Sequence, residues 1–276
     1  MEREKFKSRL GFILISAGCA IGIGNVWKFP YMVGTNGGGI FVLFYLIFLA
    51  IMGVPIMSME LSIGRASRKS TVRAYQELEK PGTKWHLHGY VAMAGNYILM
   101  MFYTVVTGWM IYYFYLFLTG KFDGASTEQV VASYEQMLGS PGILTVTMLI
   151  VVISGFFICS FGLQSGVERV TKWMMVALLV IMVFLAFYSF TMPGAAEGLK
   201  FYLVPDMKQV KEIGLLNIIT AAMNQSFFTL SLGIGAMLIF GSYLGEGRTI
   251  LGEAKNIAIL DGVPARLDAM NEALGG

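Results

Sequence analysis

Oxygen-bearing side chains set inside apolar runs are where this sequence could do chemistry. Asn25 lies in the run Gly18-Cys19-Ala20-Ile21-Gly22-Ile23-Gly24-Asn25-Val26-Trp27, which is crowded with glycine. Asn224-Gln225-Ser226 leads into Phe227-Phe228-Thr229-Leu230-Ser231-Leu232-Gly233-Ile234-Gly235. Glycine in a helix interior costs about 1 kcal/mol relative to alanine, and backbone that leaves a helix inside lipid must be buried in protein or line a cavity. Close helix packing through small residues accounts for the glycines, but not for the amides and hydroxyls beside them. Two interrupted spans with oxygens at the interruption favour a site. Opened at mid-bilayer, they would offer carbonyl oxygens to a small hard cation and half-helix N-termini to a carboxylate.

Other reactive groups carry less. Glu60, at the edge of a second apolar run behind Pro55, has two readings: snorkelling outward, or accepting hydrogen bonds from backbone exposed in an unwound neighbour. Tyr103 sits too deep in its run for an interfacial belt residue and calls for a hydrogen-bond partner. His86 and His88 could share a metal, but no cysteine or acid cluster accompanies them, which fits a surface loop. No nucleophile motif is present, and the glycines of Asn36–Gly39 follow no strand, so they do not form a phosphate loop. An enzyme is not expected.

The elements that must position these groups are membrane helices. Of 276 residues 56% are hydrophobic and 13% charged, about half the charged share of a soluble domain. Six stretches free of Asp, Glu, Lys and Arg reach the roughly 20 residues a span needs: Leu10–Trp27, Phe29–Met59, Gly89–Gly120, Ser140–Val167, Trp173–Ala196 and Ile213–Gly245. The fold class expected is therefore an all-α integral membrane protein of six transmembrane helices. Residues 1–9 would be a cytoplasmic N-terminus, 10–245 the membrane domain with spans one and six broken, and 246–276 a polar cytoplasmic tail. Basic residues concentrate at Arg3–Arg9, Arg65–Lys84 and Arg169–Lys172, which places both termini in the cytoplasm of a multi-pass inner (plasma) membrane protein. A net charge of +3 gives no reason to expect nucleic acid. Cys19 and Cys159 both lie in apolar runs and read as small buried residues rather than a disulfide.

The run from Arg9 through Asn25-Val26-Trp27-Lys28-Phe29-Pro30, with Asn36-Gly37-Gly38-Gly39 behind it, closely resembles span one of the neurotransmitter:sodium symporters. Phe227-Phe228-Thr229-Leu230-Ser231-Leu232-Gly233 resembles their span six, and Gly64-Arg65, Gly166-Val167-Glu168-Arg169 and Pro205-Asp206 are similar to further pieces. The resemblance covers about Arg3 to Asp261. It implies the first inverted repeat of the broken-helix symporter fold plus span six, and a function in sodium-coupled symport of an amino acid. One sodium ion would be held by the Ala20 carbonyl, Asn25, Thr229 and Asp261, with the substrate carboxylate completing the shell. A second would use the carbonyls of Gly18 and Ile21. Tyr103 would donate to the substrate carboxylate, and Cys19, Ala20, Gly22, Leu99, Phe228, Thr229, Ser231 and Ile234 would line the pocket, with Phe228 as a lid. Arg3, Phe6, Lys28 and Tyr243 would serve the gates. Monoamine carriers have an aspartate at the position of Gly22, so glycine here implies an amino acid. Leu99, Phe228 and Ile234 make its side chain apolar or aromatic.

The sequence also departs from the family pattern. Lys28 stands for a usual arginine and loses its two-pronged geometry, Phe6 stands for a tryptophan, and Asp261 for an asparagine, which adds a full charge. Ala254–Asp261 reads like the opening of span seven, after which Gly262–Asp268 turns polar. This suggests a truncated copy whose capacity to transport alone is open. Alternatives are a non-transporting remnant or interaction module, associating with itself or an intact homologue, and a proton-linked amino-acid carrier. Chloride dependence is left open.

Overall fold

The computed structural model describes residues 18, 22, 24–245, 247 and 249–275. Its helices are α1 (Phe29–Thr35), α2 (Gly39–Phe48), α3 (Val54–Ser67), α4 (Thr71–Leu78), α5 (His86–Leu118), α6 (Thr127–Leu138), α7 (Pro141–Ser160), α8 (Arg169–Ser189), α9 (Ala195–Leu203), α10 (Met207–Ile213), α11 (Leu215–Thr229), α12 (Ala236–Gly241) and α13 (Ile250–Gly275). Three π-helical turns interrupt them, at Gly24–Lys28, Leu49–Gly53 and Leu163–Glu168. The chain divides into two compact units: Ala94–Gly166, and the remainder.

Among the described residues four helical stretches are long and apolar enough to cross a membrane: Gly39–Ser67, His86–Leu118, Pro141–Ser160 and Gly166–Ser189. They answer to spans two to five. Their outward surfaces are apolar, with Met101 70%, Phe156 75% and Phe187 70% exposed. Polar backbone satisfied inside a helix, with apolar side chains turned out, is what a bilayer demands. The protein is a membrane protein.

Several expected boundaries move. The second stretch does not start at Phe29: α1 continues span one, and the chain then turns through Gly37 (φ 86°) and Gly38 (φ 59°) before α2 begins. Left-handed backbone at two successive residues ends a helix, and glycine adopts it without steric cost. The fourth stretch stops at Ser160, short of Val167, because Gly162 takes φ 81°. The fifth begins in helix already at Arg169 and closes at Ser189, before a turn through Gly194 (φ 90°). The first stretch lies largely outside the described residues. In the region read as a polar tail, α13 runs from Ile250 to Gly275.

In the larger unit, Phe29 packs on Tyr45 (4.7 Å between ring centroids) and Phe41 (6.0 Å), and Met57, Leu61, Ile218, Leu230 and Met237 are fully buried around them. Helices α3 and α12 meet backbone to backbone. A Cβ on Gly64 would strike the Leu238 carbonyl oxygen, and one on Gly241 the Leu61 carbonyl oxygen. Without a hydrophobic driving force in lipid, such close approach of small residues is what holds two helices together.

In the smaller unit α7 approaches α5 so closely at Gly108 that a Cβ there would lie 2.9 Å from Thr147 Oγ1. The N-terminus of α6 is a complete capping box between Ser126 and Gln129, satisfying two otherwise free N–H groups. Trp109 meets Tyr134 edge to face at 6.0 Å, and Phe122 stacks on Tyr113 at 5.9 Å.

Candidate functional site

The break in the sixth apolar stretch is built by its own backbone. Helix α11 ends at Thr229 and α12 starts at Ala236. Between them Ser231 (φ 52°), Gly233 (φ 85°) and Gly235 (φ 73°) take left-handed conformations. Ser231 is the costly one, since a Cβ in that region carries a penalty that glycine escapes. The exposed N–H of Gly233 is met by Glu60, whose Oε1 accepts it at 2.7 Å. Glu60 is only 8% exposed, so its carboxylate faces the broken backbone and does not snorkel.

Span one carries a single π turn, Gly24–Lys28. The Gly22 carbonyl accepts both the Asn25 N–H (3.0 Å) and the Val26 N–H (3.2 Å). Single π turns inside α-helices occur frequently at functional sites because they re-aim side chains. This one buries Gly24 and Asn25.

Asn25 is where three elements meet. Its Oδ1 accepts the Thr229 hydroxyl at 2.9 Å, and its Nδ2 donates to Asp261 Oδ1 at 2.8 Å and to the Asp261 carbonyl at 2.9 Å. All three residues are fully buried. Asp261 Oδ2 is buried too and accepts no hydrogen bond from the described residues. A buried carboxylate is costly unless it is paired. Carboxylate, amide and hydroxyl oxygens together suit a hard cation, so the residues present fit a sodium ion. Among the described residues there is no group of three or more His, Cys, Asp or Glu, the donor set a softer metal would need.

Gln225, one of the amides leading into the break, has a role that its place in the sequence does not disclose. Its Nε2 donates to the Gly24 carbonyl at 3.0 Å, tying span six to the π turn of span one, and its Oε1 is buried with no partner among the described residues. An uncharged amide inside an apolar span was the available signal. Its neighbour Asn224 is exposed, and nothing local in the sequence separates the two.

The remaining expected site residues are spread over both units. The Phe228 ring lies against Gly24, where a Cβ would come within 2.9 Å of Cε1, and the Lys28 ammonium sits 3.9 Å from the ring centroid. Gly18 packs on α8, with Thr171 Cγ2 2.8 Å from where its Cβ would be. Ser231, Ile234 and Tyr243 are half-buried along the broken span. Leu99 and Tyr103 belong to the smaller unit, where Tyr103 meets Phe102 edge to face at 5.9 Å. Arg3, Phe6, Cys19, Ala20 and Ile21 lie outside the described residues.

Comparison with known proteins gives a consistent picture. The model of the "Sodium:neurotransmitter symporter family" matches residues 3–135 and 126–263. A sodium-dependent transporter of Bacillus subtilis, YhdH, is 34% identical over 257 residues, which is 93% of this chain and 56% of that protein. A sodium-dependent transporter of Methanocaldococcus jannaschii is 35% identical over 95% of this chain and 53% of that protein. The crystal structure of MhsT in complex with L-phenylalanine superposes with a TM-score of 0.88 at 37% identity, over 98% of this chain and 60% of that one. The chain thus spans about half the length of the curated relatives it matches.

Proposed function

The chain belongs to the sodium:neurotransmitter symporter family, and from that premise we propose that it serves sodium-coupled symport of an amino acid with an apolar or aromatic side chain. The observation that carries this is the buried oxygen cluster of Asn25, Thr229 and Asp261, drawn from three separate helical elements. A bound sodium ion supplies positive charge that both the Asp261 carboxylate and a substrate carboxylate can share. Asn25 and Thr229, whose side-chain oxygens are bonded to each other, would supply further ligands. Gln225 fixes the π turn of span one to span six, and Glu60 keeps the break in span six open by capping Gly233. Gly22 leaves room for the carboxylate of an amino acid, and Phe228 and Ile234 offer an apolar surface. MhsT crystallises in complex with L-phenylalanine, which supports a substrate of that class. Residence in the cytoplasmic membrane with both termini inside belongs to the same reading.

The lid is Phe228, gripped between the Gly24 backbone and the Lys28 ammonium. Gly24→Ala places a methyl where the ring now lies. It is expected to weaken amino-acid binding about tenfold, the scale of a modest overpacking cost, while leaving sodium binding close to native. Equilibrium binding of labelled phenylalanine to the purified variant measures this.

Uptake by vesicles containing the chain alone, under an imposed sodium gradient, tests the function itself. Labelled phenylalanine is expected to accumulate with sodium and not with an equal potassium gradient, and leucine or tryptophan to compete. Competition by lysine or glutamate equal to that by leucine overturns the apolar assignment. Folded, lipid-inserted chain with no sodium-driven uptake favours a non-transporting interaction module.

A further inference from the structure

Away from the oxygen cluster, the larger unit carries a cavity at the turn joining α3 to α5. It encloses about 330 Å³ and is lined by Ile63, Tyr75, Leu78, Glu79, Trp85 and His88. Its walls are fixed by packing. Tyr75 and His88 meet edge to face at 5.2 Å, and Gly89 lies so near α4 that a Cβ would come within 2.8 Å of Val72 Cα. Glu79 closes the turn, its Oε2 accepting the His86 N–H at 3.1 Å and its Oε1 pairing with His86 Nδ1 at 2.8 Å. Desolvation pushes the Glu79 carboxyl up, but the bonds from His86 outweigh it and hold the group below the usual carboxylate range. Both its oxygens are engaged, so the cavity presents no unpaired carboxylate.

Two cations flank the lining residues along the chain. Lys80 adjoins Glu79 and Lys84 adjoins Trp85, and both lysines are exposed. The turn between them passes through Gly82 (φ 87°) and is closed by the Thr83 N–H (3.0 Å) and hydroxyl (2.8 Å) on the Lys80 carbonyl. Residues 65–84 hold Arg65, Arg68, Lys69, Arg73, Lys80 and Lys84 against Glu77 and Glu79. The cavity also lies where two long apolar helices end, and Trp85 is 63% exposed there, as aromatic residues at headgroup depth are. An apolar solute would leave the lysines unused, and a soluble anion would leave the apolar walls unused. A molecule with an acyl chain and an anionic head uses both.

We propose that this cavity binds one anionic phospholipid, its acyl chain along Ile63, Leu78 and Trp85 and its phosphate between Lys80 and Lys84. The site is independent of the transport reading and stands or falls without it. The test uses the full chain in phosphatidylcholine nanodiscs doped with phosphatidylglycerol, either lipid carrying brominated acyl chains. Quenching due to Trp85 is isolated by difference with Trp85→Phe. Brominated phosphatidylglycerol is expected to quench at a mole fraction at least about tenfold lower than brominated phosphatidylcholine. Two lysines close to an anionic headgroup account for an effect of that order. Lys80→Gln with Lys84→Gln should equalise the two lipids, and Lys80→Arg with Lys84→Arg should keep the preference, with helicity unchanged in both. Equal quenching in the native chain overturns the proposal, as does a preference that survives the glutamine pair. Displacement of the lipid by soluble glycerophosphate overturns it in favour of a free-anion site.

Discussion

Asp261→Ala is expected to lower sodium affinity by roughly 100-fold or more and to abolish sodium-dependent amino-acid binding with it. The carboxylate is fully buried, holds the Asn25 amide at 2.8 Å, and keeps a second oxygen free of described hydrogen-bond donors. Hydrogen bonds to a charged group are worth about 1.5–3 kcal/mol, and a cation stripped of the Asp261 carboxylate loses more than a single bond. Removing the side chain also leaves Asn25 Nδ2 with the Asp261 backbone carbonyl alone. Asp261→Asn keeps an oxygen at this position without the charge, so its loss should be smaller, about tenfold. Titrating sodium against bound labelled phenylalanine measures both. An alanine variant with native sodium dependence would remove Asp261 from the ion site.

Gly64→Leu has the largest expected effect on the fold. Even a methyl at Gly64 collides with the Leu238 carbonyl, and Gly241 makes the reciprocal contact with Leu61. Both obstacles are backbone, which cannot rotate away as a side chain can. Overpacking a tight contact costs about 1–3 kcal/mol, and prising two backbones apart exceeds that range. Loss of the folded, monodisperse species in detergent is the expected result. Gly34→Ala is the contrast: its Cβ would meet nothing within 4 Å, and it lies within α1. Exchange of a helical glycine for alanine gains about 0.5–1 kcal/mol, so its thermal midpoint should hold or rise.

Much of this arrangement was legible along the chain because the bilayer leaves few options. Apolar runs cut by glycine next to Asn25 and Thr229 favoured an interruption over plain helix, and the positive-φ residues of the sixth apolar stretch fall where those signals point. Glu60 stood between two readings, and only the fold could choose, since its partner Gly233 is 173 positions away. The role of Gln225 was hidden for the same reason: its acceptor, Gly24, is 201 positions off. Helix ends drifted by several residues, and at the fourth stretch a left-handed glycine, Gly162, outranked hydropathy as the terminator. The short helices α9 and α10 went unanticipated because their sequences, Ala195–Leu203 and Met207–Ile213, mix charge and apolar residues without span length. The polar composition after Gly262 concealed a helix for another reason. Backbone hydrogen bonding, not hydropathy, defines α13.

Equilibrium binding of radiolabelled sodium to the purified chain, native against Thr229→Val, is the most direct measurement. Valine keeps the shape of threonine and removes only the oxygen now bonded to Asn25 at 2.9 Å. A saturable sodium component in the native chain that is lost in the variant, with helicity unchanged, is the expected result. Saturable binding untouched by the substitution, or none in a folded native chain, would contradict the assignment of these oxygens to a cation.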